Sequence, residues 1–86
     1  MRSLKREVIQ SACGIVSENR VMYAAMLNFS QNGIMVASDF LLAKKKYVSV
    51  MYRNEKNQMV RLLTYVVHSE RKGKRFFSGL LFVKTE

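Results

Sequence analysis

The sequence predicts an all-β fold: six short antiparallel strands closed, or nearly closed, into a barrel with little or no helix. Three observations point there. Apolar runs of strand length recur along the chain, each bounded by turn-forming residues. The longest strand candidate, residues 59–68, places Val60, Leu62, Thr64 and Val66 on one face, the period of a half-buried strand. The chain holds no proline, and no long helix is signalled. Regularly spaced short strands favour a closed barrel, because closure removes the unpaired edges of an open sheet.

Each element follows in order. Val8-Ile9 and Gly14-Ile15-Val16 bracket the first strand around a polar interruption at Gln10-Ser11. Ser17-Glu18-Asn19-Arg20 is wholly polar and includes an asparagine, which tolerates the left-handed region, so it reads as a hairpin loop. Residues 21–27 contain alanines and methionines that also suit a helix. Turns close the run on both sides at strand length, so a strand is preferred. Gln31-Asn32-Gly33 supplies the next reversal, since Asn-Gly accepts positive φ cheaply. Residues 34–37 form a third strand. Residues 39–43 suit a single helical turn or a loop, and Lys44-Lys45-Lys46 breaks the apolar pattern. Residues 47–52 are rich in β-formers, and 54–57 read as a hairpin tip before the 59–68 strand. A glycine turn at 71–74 leads into the last strand, 76–83.

Eighty-six residues suit one domain, 1–86, divided into a flexible basic segment (1–7) and the barrel (8–83). A hydrophobic share of 49% argues against disorder. Fifteen Lys and Arg against six Asp and Glu give a net charge of +9, a field that attracts polyanions. The charged N-terminus has no apolar stretch behind it, so no secretion signal is expected. The longest apolar run, residues 21–27, is far shorter than the roughly 20 residues of a spanning helix. A cytoplasmic protein with no membrane insertion is expected.

Catalytic and metal chemistry find little support. Cys13 and His68 are the sole cysteine and histidine, which leaves no disulfide and no Cys-x-x-Cys knuckle. Cys13 suits a small core position, and His68 a surface one. The six acids are scattered, and the chain has no phosphate-binding loop of the Gly-x-x-x-x-Gly-Lys kind and no Gly-x-Gly-x-x-Gly turn. The expectation is a binding protein with no catalytic residues, no metal and no cofactor.

Two motifs carry a binding site. Arg2-Ser3-Leu4-Lys5-Arg6 spaces two guanidinium groups, each able to grip a phosphate, pair with guanine O6 and N7, or stack on a base. Asn28-Phe29-Ser30-Gln31-Asn32-Gly33 adds an amide, a hydroxyl and a glycine that lets backbone approach closely. Together they resemble the PilZ domain, the bacterial receptor for cyclic di-GMP. That family's pattern is Arg-x-x-x-Arg followed by (Asp or Asn)-x-Ser-x-x-Gly. Gly79-Leu80-Leu81-Phe82 is also similar to the family's closing strand, Gly-hydrophobic-x-Phe. The resemblance covers nearly the whole chain and implies a six-stranded PilZ-like barrel. It implies that Arg2 and Arg6 embrace the guanines and phosphates of cyclic di-GMP, with Lys5 a further phosphate contact. Asn28 and Ser30 then hold a guanine edge and Gly33 preserves the turn. Ligand binding is expected to order the N-terminal segment and signal to an effector protein, the chain being a monomer or weak homodimer.

Two alternatives stay open. A small basic barrel binds RNA or single-stranded DNA through its Lys/Arg loops, with Tyr47, Tyr52, Tyr65 or Phe76 as stacking platforms. Most of those aromatics are better explained as core, which makes nucleic acid the weaker partner. The other alternative is a PilZ-like adaptor that binds protein and no nucleotide.

Overall fold

The computed structural model describes residues 7–83, with side chains from residue 12 onward. Its strands are β1 (Glu7–Ser17), β2 (Arg20–Phe29), β3 (Gly33–Ser38), β4 (Tyr47–Arg53), β5 (Met59–Lys72) and β6 (Arg75–Phe82). They close a barrel in the order β1-β2-β3-β6-β5-β4, with every neighbouring pair antiparallel. Two meanders, β1-β2-β3 and β4-β5-β6, are therefore joined by the β3–β6 and β1–β4 pairings. The all-β expectation holds strand for strand.

The loops show why the chain reverses where it does. Glu18 and Asn19 (φ 50° and 67°) form a two-residue loop between the paired Ser17 and Arg20, the primed-turn geometry that matches sheet twist. β2 stays extended despite its alanines and methionines. Its inward positions Ala24 and Met26 are buried while Tyr23 lies outside, so core burial outweighs intrinsic helix preference. Residues 39–46 are a loop with no helical turn, crossing one end of the barrel from β3 to β4. The Ser38 hydroxyl donates to the Phe40 carbonyl at 2.7 Å, and Leu42 drops into the core beneath Phe40. The Asn54 side-chain oxygen accepts from the N–H groups of Lys56 and Gln58, closing the β4–β5 tip.

Among the described residues each strand supplies one large, fully buried apolar side chain: Ile15, Met26, Val36, Val50, Val66 and Leu80. Ile15 pairs with Val50, Met26 with Val36, and Val66 with Leu80, so neighbouring strands share these core positions. Burying each contributes about 1.5–3 kcal/mol. Thr64, Ser38 and Ser78 are the buried polar residues among those described, and the Thr64 hydroxyl donates to the Val48 carbonyl at 2.9 Å. At the end opposite Leu42, Phe29, Tyr52 and Phe82 pack against the core from β2, β4 and β6. The Phe29 ring lies 5.8 Å from Tyr52, edge-on, and 5.3 Å from Phe82. Burial raises the pKa of the Tyr52 hydroxyl.

Candidate ligand-binding site

The site begins with an extra residue. Met26 pairs with Val36 and Asn28 with Met35, which leaves Leu27 as a β-bulge in β2. Inward and outward positions alternate with period two, so one added residue reverses the phase of everything after it. Without the bulge Asn28 would follow Met26 into the core. Instead Phe29 packs inward and Asn28 opens onto the outer wall. β1 adapts with its own irregularity between Val8 and Ser11, which spans the polar interruption in its sequence. A second bulge, at Val67 between Val66 and His68, lies on the other side of the same outer face.

The 30–33 turn is held by a side chain. The Ser30 N–H donates to the Gly33 carbonyl at 2.9 Å, and the Gly33 N–H donates to the Ser30 hydroxyl at 3.2 Å. That hydroxyl also lies 3.2 Å from the Gly33 carbonyl, to which it donates. The turn is tied to β6 by the Phe82 N–H, which donates to the Asn32 carbonyl at 2.8 Å. The expected use of positive φ at Asn32-Gly33 is not seen. Among the described residues positive φ falls at Glu18, Asn19, Lys45, Asn57 and Gly73. Gly33 is needed for close approach instead: a Cβ there would collide with the Leu80 carbonyl.

Asn28, Ser30 and Gly33 line one open groove of about 410 Å³ on the barrel exterior, with Met35, Val67, Gly79 and Leu81. Gly79 is paired with Met35 on one side and His68 on the other, and its missing side chain keeps the floor low. A Cβ at Gly79 would lie 3.4 Å from that of His68, an ordinary contact, so packing does not demand glycine. Sequence reading assigned Gly79 no site role. Its signal was a glycine inside a strand pattern, which marks a bulge or a close backbone approach. Among the described residues the groove lining carries no charged side chain.

The chain enters β1 at this end of the barrel, with Glu7 paired to Phe29 and Val8 to Asn28. Arg2, Lys5 and Arg6, the expected phosphate and base contacts, lie outside the described residues. Cys13 and His68 do not meet. Cys13 is buried in the core and its thiol is pushed up to about 11 by burial, whereas His68 is exposed on β5 beside Glu70 at 3.1 Å. Of the four aromatics weighed as stacking platforms, Tyr52, Tyr65 and Phe76 are partly buried. Tyr47 is 62% exposed and leans on Tyr65 at 4.9 Å, because its strand position faces out.

No curated protein matches the chain at a significant level. The family model for the PilZ domain matches residues 2–85, a span that takes in both motifs and all six strands. With that match running from the first arginine past the last strand, the chain belongs to the PilZ domain family.

Proposed function

We propose that this chain is a cyclic di-GMP receptor that holds the dinucleotide in the 410 Å³ groove and signals its occupancy through the N-terminal arginine segment. The convergence of Asn28, Ser30 and Gly33 on that groove carries the reading. The bulge at Leu27 turns Asn28 outward and the approach of Leu80 leaves room only for glycine at 33. The lining supports a division of labour. Its described side chains are neutral, suited to base edges and sugar, while the ligand carries two phosphates that need cations. Arg6, Lys5 and Arg2 stand just upstream of Glu7, whose pairing with Phe29 puts the start of β1 beside the groove. Ordering that segment around a bound ligand is a local electrostatic event that an effector protein reads as a new surface.

Isothermal calorimetry with cyclic di-GMP tests this. Saturable binding is expected, weakened at least about tenfold by Arg6→Ala or Asn28→Ala through loss of a charge-assisted or base-edge bond. Lys45→Ala, in the loop at the other end of the barrel, leaves it unchanged. Absence of heat with the wild-type chain overturns the proposal.

One observation favours oligonucleotides: exposed Tyr47 and its neighbour Tyr65 stand next to the exposed Lys44-Lys45-Lys46. Heat with single-stranded DNA or RNA that falls steeply with salt, and none with cyclic di-GMP, supports that reading instead.

A further inference from the structure

β5 outruns its neighbour on one side. Its pairing with β4 ends at Tyr47 opposite Tyr65, and the loop adds only the Lys45 N–H to Val66 carbonyl and Val66 N–H to Lys46 carbonyl bonds. From Val67 to Lys72 the strand is paired with β6 alone. Among the described residues no backbone hydrogen bond reaches its other edge. β6 in turn is anchored to β3 as far as Phe76, so the arm is held firmly on one side and open on the other.

The open edge has defined donors and acceptors. Gly73 (φ 65°) and Lys74 form a two-residue loop between the paired Lys72 and Arg75. Residues flanking such a loop exchange both ladder bonds, and the alternation from there turns the N–H and C=O of Arg71 and Ser69 away from β6. The side chains around this edge are basic. Arg71, Lys72, Lys74 and Arg75 stand against one acid, Glu70, which already lies 3.1 Å from His68 and 4.0 Å from Lys72. Arg71 is held 5.9 Å above the Phe76 ring and Lys72 5.8 Å above the Phe77 ring. As residues 71 and 72 are adjacent, the two cations stand on opposite faces of the arm.

We propose that the free edge of β5, Val67–Lys72, docks an acidic extended segment of a partner protein by strand addition. A strand laid along it meets the outward groups of Ser69 and Arg71 with its backbone, and Arg71 and Lys72 with acids on its two faces. A second copy of this chain is the wrong occupant, because pairing two such arms brings together two sets of Arg71, Lys72, Lys74 and Arg75 with only one Glu70 each to offset them. This names the class of partner for the receptor reading and rests on its adaptor half, not on the nucleotide. Val67 belongs to both features, lining the groove and beginning the free edge.

Fluorescence polarisation with the full chain and a labelled ten-residue Glu/Val/Thr peptide tests the proposal, with a Lys/Val/Thr peptide as control. Saturable binding of the acidic peptide alone is expected, together with new hydrogen-exchange protection at the Ser69 and Arg71 amides. Lys72→Glu with Arg75→Glu weakens it about tenfold or more by replacing attraction with repulsion. Ser69→Pro removes an outward N–H and no β6 ladder bond, and costs about tenfold while leaving the circular dichroism unchanged. Three results overturn the proposal: no saturable binding, equal binding of the lysine peptide, or charge-dependent binding without amide protection. The last shows that the Lys/Arg side chains only attract acids and guard the edge against aggregation. The exchange measurement on the unmodified chain decides the matter even where Ser69→Pro fails to fold. Cyclic di-GMP heats, taken separately on the same samples, report the nucleotide reading independently.

Discussion

Gly33 and Leu80 approach so closely that the Leu80 carbonyl occupies the space a Cβ on Gly33 would need. This contact seats the 30–33 turn on β6, and the turn in turn presents Ser30 to the groove. Gly33→Ala must push the strands apart, and is expected to cost about 2–3 kcal/mol, as overpacking does. Thermal or urea unfolding measures it. Gly79→Leu makes the opposite case. It fills open space on the outer wall, so stability changes by less than about 1 kcal/mol. If the groove holds cyclic di-GMP as proposed, calorimetry is expected to show its binding lost, because the groove floor is raised.

Asn28 and Ser30 separate by the same two measurements. Ser30→Ala removes the hydroxyl that accepts the Gly33 N–H, and is expected to cost about 0.5–1.5 kcal/mol of stability as well as ligand affinity. Asn28→Ala, outside the turn's hydrogen bonds, lowers affinity with a smaller stability change. Equal unfolding midpoints for the two variants would contradict the role assigned to the turn.

The bulge at Leu27 is tested by deleting that residue. Restored alternation sends Asn28 inward and Phe29 outward. Exposing Phe29 forfeits about 1.5–3 kcal/mol, and burying an unpartnered amide costs about 1–3 more. The deletion variant is expected to lose its near-ultraviolet circular dichroism or to unfold far more easily than Leu27→Ala, which keeps the residue count.

Cys13 makes stability depend on alkaline pH. Burial raises its folded pKa from the ordinary 9.0 to about 11, so the unfolded chain releases the thiol proton first. The stabilisation is therefore complete below pH 9.0 and is lost as pH rises towards about 11. Each tenfold difference in acidity between the folded and unfolded thiol corresponds to about 1.4 kcal/mol. Tyr52, also raised by burial, acts in the same direction. Urea titrations across this range should show a shallower decline for Cys13→Ala than for the native chain, and iodoacetamide should label Cys13 only as the barrel opens.

Much of the barrel was legible because its signals are local. Residues 59–68 alternate with period two as far as Val66, but the strand runs on to Lys72 and shortens the expected 71–74 turn to Gly73-Lys74. Ser17-Glu18-Asn19-Arg20 has the composition of a tight hairpin loop and appears as read. The 30–33 turn was placed correctly but for the wrong reason. Asn32-Gly33 suggested positive φ, whereas the fold uses the Ser30 hydroxyl and demands glycine because β6 passes beside it. That neighbour is distant in sequence, and no local pattern announces it. Tyr47 was hard to place for a related reason: an aromatic residue at the start of a strand faces in or out according to register, which pairing with β5 decides.

By itself the sequence determined the strand count, the order of turns and the residue types that mark the family, since periodicity and turn chemistry act over a few neighbours. Only the tertiary structure decided which way those residues face. Closing the barrel set the register between distant strands. That register placed the bulges at Leu27 and Val67, turned Asn28 out beside Gly79, and left the β5 edge beyond Val66 without a neighbouring strand among the described residues.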